Sequence, residues 1–307
     1  MSFSAEIKEE LMKIEDMPDC CAHAMAYGML LFGRSFDIND ISLLTDNPFV
    51  AEKYASLIEK VCAVAVDRQI SEAGKVTCEI RNEADRLKVL ECFSMTGMER
   101  VKRIERGNLL NESGDTAENI NCCNAAFLRG AFLSCGTASD PNKSYHIEFV
   151  VSYRTLSLDL LKILTAYGLK AKHMVRRYIN VIYIKDSESI EDLLTVMGAP
   201  MASLEIMNIK IYKDLRNLTN RRNNFENANL SKTATAAYDQ INAIKKLKSS
   251  GEFALLSDEL KTIADYRIEN EDASLREIGE MCTPPLSRSA VNHRLKKLIA
   301  LAGADKS

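Results

Sequence analysis

The sequence predicts an α+β chain, with a pseudo-two-fold repeat domain followed by a small all-α domain. Three observations predict it. An apolar helical pattern led by a cysteine pair and centred on a glycine occurs twice, over Cys20–Ser35 and Cys122–Thr137. The elements after each copy recur in the same order at an offset near 102–104 residues. Beyond Asn217 the composition turns rich in amides and then resolves into three short helical patterns.

The first element is a charged amphipathic helix at the N-terminus, Met1-Ser-Phe-Ser-Ala-Glu-Ile-Lys-Glu-Glu-Leu11, which lacks the character of a signal peptide. The first glycine helix follows. Aligned without a gap, the two copies share the cysteine pair, Ala24 with Ala126, Gly28 with Gly130 and Leu31 with Leu133. Glycine inside a helix costs about 1 kcal/mol relative to alanine, so a glycine at the same point of both copies suggests two helices crossing closely there.

After the first copy, Phe36–Ile38 and Ile41–Leu44 read as strands. A helix starts at Asn47-Pro48, where proline suits a first turn. Strands over Ala63–Ile70 and Lys75–Arg81 flank the turn at Gly74, and a helix from Glu83 to Met95 closes the unit. Val101–Asn121 is a polar connector. The second copy leads through the loop Ser139–Asn142 to a strand His146–Tyr153 and a helix Ser157–Tyr167 with Gly168 at its C-terminus. Strands Lys170–Arg177 and Tyr178–Lys185 and a helix Ser187–Met197 come next, and the apolar stretch Ser203–Tyr212 ends the domain. The expected domains are 1–216, with repeats over about 1–100 and 119–216, a linker with a helix over 217–250, and 251–307.

In the linker, the block Asn220–Asn229 holds five asparagines with Arg221 and Arg222, a composition costly in helix propensity. A helix over Leu230–Lys248 would then span about 29 Å at 1.5 Å per residue. Three helices follow. The first is Ser257–Tyr266, and the second opens on Ser274-Leu-Arg-Glu277, a capping box, and runs to Cys282. Thr283-Pro-Pro-Leu286 makes a turn, and Ser287 caps a third helix reaching Ala300. Val291, Leu295 and Leu298 share its inward face, while Arg288, Ser289, Asn292, His293, Lys296 and Lys297 lie on the other. No acid occurs between Glu280 and Asp305. A second helix with such a face is what reading double-stranded DNA requires: cations neutralise phosphates, and arginine or asparagine pairs bidentately with base edges. Ser274, Arg276, Thr283, Ser287 and Arg294 complete the candidate contact set, with Arg288 and Asn292 expected on bases and Arg294, Lys296 and Lys297 mainly on phosphates. The bland alternative is a basic helix that docks protein.

Composition bounds the rest. The chain has 307 residues, 46% apolar and 27% charged, so a large core is affordable, and the net charge of −3 means that any basic surface must be local. No apolar run approaches the roughly 18 residues of a membrane span. Nine cysteines, an odd number without a Cys-x-x-Cys, fit a reducing cytoplasm and read as small buried apolar thiols. Cys20, Cys21 and His23 are close in sequence, but one helix would splay them to different faces, so no metal or other cofactor is expected.

From end to end the chain resembles the WhiA family of bacterial regulators. The resemblance rests on the Ser-Phe-Ser start with Ile7 and Leu11, the doubled glycine helices, the Asn220–Asn229 block, and above all Ser287-Arg-Ser-Ala-Val-Asn-His-Arg-Leu-Lys-Lys-Leu298. It implies a LAGLIDADG homing-endonuclease-like domain followed by a helix-turn-helix domain. It also implies a nucleoid-associated DNA-binding role in cell division, chromosome segregation and developmental transcription, with a transcription or division protein as a second partner. In active homing endonucleases each glycine helix ends in an acid that brings Mg²⁺ to the scissile phosphates. Here the resemblance places Gly33 and Cys135 at those two positions, and neither can serve Mg²⁺ as a carboxylate does. Asp37, Asp40 and Asp140 lie further along. A scaffold without catalytic residues is therefore expected. Lys170, Lys172, Arg176, Arg177 and Lys185 sit on strands where homing enzymes lie on DNA, although alternation would split them between two faces. With Arg221 and Arg222 they are secondary DNA candidates, and this surface is read equally as a DNA saddle or a protein-docking face. The rival readings are a nuclease with relocated ligands and an interaction protein whose DNA contact is incidental.

Overall fold

The computed structural model describes residues 2–109 and 117–303, with only the backbone described for 117–121. Of the connector expected over Val101–Asn121, residues 110–116 lie outside the described residues and 117–121 are helical. The chain forms two compact units, Met1–Lys213 and Asp214–Ser307.

In the first unit, α1 (Phe3–Met12) is capped by Ser2, whose Oγ accepts from the Ala5 amide at 3.3 Å, and it buries Phe3, Ile7 and Leu11. The first repeat runs α2 (Asp19–Leu31), β1 (Ser35–Phe36), β2 (Ile41–Thr45), α3 (Pro48–Cys62), β3 (Asp67–Ile70), β4 (Val76–Glu79) and α4 (Glu83–Cys92). The second runs α5 (Ala117–Cys135), β5 (Gly136–Ala138), β6 (Ile147–Val151), α6 (Arg154–Ala166), β7 (Lys172–Arg176), β8 (Ile179–Ile184) and α7 (Ser187–Met197). The order is the same in both. Each repeat folds its strands into an antiparallel sheet, β1-β2-β4-β3 in one and β5-β6-β8-β7 in the other.

Local chemistry sets the boundaries. Asn47 Oδ1 accepts from the Phe49 and Val50 amides at 3.0 and 3.4 Å ahead of Pro48, which fixes the start of α3. Ala63 ends α3 in the left-handed region at φ 52°, so the strand expected from Ala63 begins only at Asp67. A strand, β5, takes the end of the stretch Cys122–Thr137 ahead of the expected loop Ser139–Asn142; its small residues Gly136-Thr-Ala138 carry no alternation to betray it. Its pairing with β6, Gly136 opposite Phe149, is what makes it a strand.

α2 and α5 cross at their glycines. A Cβ on Gly28 would overlap the Phe127 carbonyl and lie 3.0 Å from the Ala131 nitrogen; one on Gly130 would overlap the Met25 carbonyl and lie 3.0 Å from the Met29 nitrogen. Around this seam Ala24, Met25, Ala26, Met29, Leu128, Ala131 and Phe132 are fully buried in a core that both repeats share.

Two expectations are corrected. The apolar stretch 203–212, the amide-rich block and the helix expected over 230–248 are one helix, α8 (Pro200–Ser250). Each asparagine costs a few tenths of a kcal/mol, whereas extending a formed helix avoids a new nucleation, so the block stays helical with exposed side chains. The cysteines read as small buried thiols include two pairs that come together: Cys20 and Cys21 of α2 meet Cys122 and Cys123 of α5. Reading one helix at a time hides this, because the partner pair is on the other helix.

In the second unit the end of α8 packs with α9 (Asp258–Glu269), α10 (Leu275–Met281) and α11 (Arg288–Gly303). Ile244, Leu247, Ile263, Ala264, Ile278, Val291, Leu295 and Leu298 form its core.

Candidate nucleic-acid interface

The site is the outer face of α11 and the α10–α11 turn beside it. The Ser274 capping box forms in both directions: Glu277 N donates to Ser274 Oγ at 3.3 Å, and Ser274 N donates to Glu277 Oε2 at 2.7 Å. The Ser274 amide and hydroxyl together hold the Glu277 carboxyl below its ordinary value. Gly279 brings the turn in close. A Cβ there would overlap the Leu286 carbonyl, and Leu286 N donates to Gly279 O at 2.9 Å. Ser287 then starts α11, its Oγ accepting from Ala290 N at 3.2 Å.

Val291, Leu295, Leu298 and Ala302 anchor one face of α11 in the core. At 100° per residue, Ser289, Asn292, His293 and Lys296 fall in one outward stripe, with Lys297 at its edge. Ser289, His293, Lys296 and Lys297 are exposed, as are Arg288, Ser287, Ser274, Arg276 and Thr283, and Asn292 is half-buried at the stripe's inner margin. Arg294 departs from the expectation of a phosphate contact. It lies on the opposite flank, where Nη2 donates to Glu259 Oε2 at 2.8 Å. Arg276 is exposed but shared with Glu280, its Nε 3.0 Å from Oε1.

Sequence reading missed Arg267. It is 2% exposed, and Nη1 donates to the carbonyls of Glu271 and Ala273 at 3.2 and 2.8 Å, gathering the α9–α10 loop. Burial lowers the pKa of its guanidinium. The signal was present, since Leu260, Ile263, Ala264 and Arg267 form one helical stripe in which the arginine is the odd member.

The secondary candidates scatter. Lys172 and Arg176, four apart on β7, share the open face of the second sheet as alternation places them. Arg176 Nη2 contacts Glu148 Oε1 there at 3.4 Å. Lys170 is paired with Asp186 at 3.0 Å, and both groups are shifted toward their charged forms by that contact. Lys185 is exposed just beyond β8, its Nζ 5.2 Å from the centre of the Tyr183 ring. Arg177 occupies the β7–β8 turn at φ 49°, on neither face. Arg221 and Arg222 are exposed on α8, Arg222 paired with Glu226 at 2.9 Å. The open face of the first sheet carries Asp67 and Glu79 side by side, with Arg81 within 3.7 and 3.6 Å of them.

At the helix ends, Gly33 follows α2 and Cys135 is the last residue of α5. Burial pushes the Cys135 thiol up to about 12. The three nearby acids are engaged in turns. Asp37 accepts from the Asn39 and Asp40 amides at 2.9 and 3.1 Å and from Ser35 Oγ at 3.0 Å; Asp40 accepts from Ser42 Oγ at 2.9 Å; Asp140 accepts from the Asn142 amide at 2.9 Å. Burial would raise the Asp37 carboxyl, but those hydrogen bonds outweigh it and hold the group below its ordinary value.

Residues 124–216 match the WhiA LAGLIDADG-like domain, and residues 219–302 match the WhiA C-terminal HTH domain. A protein of Alkaliphilus metalliredigens named "Probable cell division protein WhiA" is 34% identical over 100% of this chain and 99% of its own. One of the same name from Alkaliphilus oremlandii is 36% identical over 98% and 97%. The crystal structure of full-length DUF199/WhiA from Thermotoga maritima shares the fold, with a TM-score of 0.59 at 23% identity over 99% of both chains. With relatives this similar along its whole length, the chain belongs to the WhiA family.

Proposed function

We propose that the protein is a double-stranded-DNA-binding regulator of cell division that reads sequence through α11 and cleaves nothing. The observation that carries this reading is the acid-free outer stripe of α11, where Ser289, Asn292, His293, Lys296 and Lys297 stand on a helix whose other face is locked in the core. Arg288 and Asn292, near the N-terminal end that enters the major groove, make the base contacts; Lys296 and Lys297 neutralise phosphates. The relatives' printed names support the division role, and a place at the nucleoid in transcription and chromosome segregation is the form that it takes here. Gly33 and Cys135 at the helix ends, with Asp37, Asp40 and Asp140 committed to turns, support a repeat domain without metal-assisted hydrolysis.

The open sheet faces favour protein docking over a DNA saddle. Asp67 and Glu79 oppose phosphate on the first, and on the second Val150, Met174 and Ile179 are exposed beside Arg176.

Genome-wide mapping of bound DNA compares the intact chain with an Arg288→Ala/Asn292→Ala variant. Discrete sites that disappear in the variant are expected. Sites retained unchanged would move recognition away from α11. Nicking of supercoiled plasmid that follows the protein through purification in Mg²⁺ or Mn²⁺ would overturn the non-cleaving assignment.

A further inference from the structure

Where α2 and α5 begin to converge, four thiols meet. The Sγ atoms of Cys20, Cys21, Cys122 and Cys123 all lie within 4.8 Å of one another, and those of Cys122 and Cys123 are 4.0 Å apart. Four sulfurs around one Zn²⁺, at about 2.3 Å each, stand about 3.8 Å apart at the corners of a tetrahedron. Shifts of roughly 1 Å or less at the thiol ends therefore convert the observed set into a complete coordination shell. An iron–sulfur cluster interposes several atoms between its cysteine ligands, and a spread of 4.8 Å leaves no room for one.

We propose that these four cysteines form a tetrathiolate site for a single Zn²⁺-type cation, tying the two repeats together at the seam of their glycine helices.

Three further features agree with the site. Cys21 and Cys123 are buried while Cys20 and Cys122 are half-buried, so the inner pair is shielded and the outer pair gives the ion a way in. Cys20 and Cys21 lie in the first turn of α2, whose N-cap, Pro18, makes no side-chain cap; that helix end favours negative charge. Arg129 lies close enough to Cys21 for the two to interact electrostatically, and its Nε donates to Met197 O at 2.7 Å, which places a cation beside a shell of net charge −2. Binding is an exchange: one divalent cation enters and four protons leave, with no change of oxidation state. His23 takes no part, since its Nε2 lies 3.0 Å from Asn108 Oδ1 and its ring packs on Phe93.

The test titrates the full-length reduced chain, stripped with a chelator, with Co²⁺ and then with Zn²⁺. One Co²⁺ per chain is expected, with the intense visible bands of tetrahedral sulfur coordination, bleached stoichiometrically by Zn²⁺. Cys20→Ser and Cys122→Ser, at the half-buried positions, should each weaken binding by more than the roughly 10- to 100-fold that loss of an outer partner costs. Cys62→Ser, away from the cluster, should bind as the parent does. Absence of tetrahedral bands in the parent chain would overturn the proposal, and so would bands that persist in both serine variants. Peptide mapping that finds the four as disulfides under reducing purification would overturn it as well. The parent titration decides the matter even if a serine variant fails to fold.

Discussion

Arg294 and Glu259 form an ion pair from α11 to α9, Nη2 to Oε2 at 2.8 Å, on the flank away from the outward stripe. The guanidinium is a quarter exposed and the carboxylate mostly exposed, so the pair contributes at most about 1 kcal/mol. Arg294→Ala should therefore lower the stability of the second unit slightly and leave the salt dependence of DNA binding unchanged. Lys296→Ala and Lys297→Ala should each reduce the slope of log affinity against log salt by about one. Binding titrations across a salt series separate the two; a slope change of one in Arg294→Ala would return that residue to the phosphates.

Asn292→Ala should cost about 1–3 kcal/mol of discrimination between target and random DNA. Competition titrations measure this directly. Equal weakening for all sequences would remove Asn292 from base readout.

Arg267→Met keeps the length of the buried stem but removes the donors to the Glu271 and Ala273 carbonyls. Leaving such acceptors unsatisfied costs about 1–3 kcal/mol, so the melting temperature of the second unit should fall. An unchanged melt would show that water replaces the guanidinium.

Gly279→Ala raises helix propensity by about 1 kcal/mol, yet the new methyl overlaps the Leu286 carbonyl and lies 3.3 Å from a Val291 methyl. Overpacking of this kind costs about 1–3 kcal/mol, and the backbone shift it forces moves the start of α11. Lower stability in urea and weaker specific DNA binding should appear together. A stabilised variant would refute the close approach.

Among the described residues of the first unit, Cys92 is a half-buried thiol whose pKa is drawn down. The Cys62 thiol and then the His23 imidazole bring its pKa down to about 5, against the effect of burial. His23 itself is pulled down by burial, but hydrogen bonds to Cys92 and Asn108 raise it overall. Iodoacetamide at pH 6 should modify Cys92 before the other cysteines, as read by peptide mass, and His23→Ala should slow that reaction. Labelling of Cys92 no faster than Cys20 would contradict the assignment.

Much of this was legible in the sequence because the repeat carries the pattern twice. The paired glycines, the Ser187–Met197 helix and the Ser274 capping box needed only local rules, and Val291, Leu295 and Leu298 declared the inward face of α11 through their spacing. What was hidden depends on pairing at a distance. β5 exists through Phe149 and its neighbours, Arg294 turns aside because Glu259 is there to receive it, and α8 continues through asparagines because helix lies on either side. The cysteine cluster belongs to this class too, since neither pair has ligand spacing until two helices lie together.

The crossing of α2 and α5 constrains what the chain can become. Gly28 and Gly130 each face the other helix's backbone, not a side chain that a second substitution could shorten. Loss of either glycine cannot be offset by shortening a side chain on the opposite helix. The two repeats can therefore differ in sheet charge and in the residues at the helix ends while remaining bound to one another at this point.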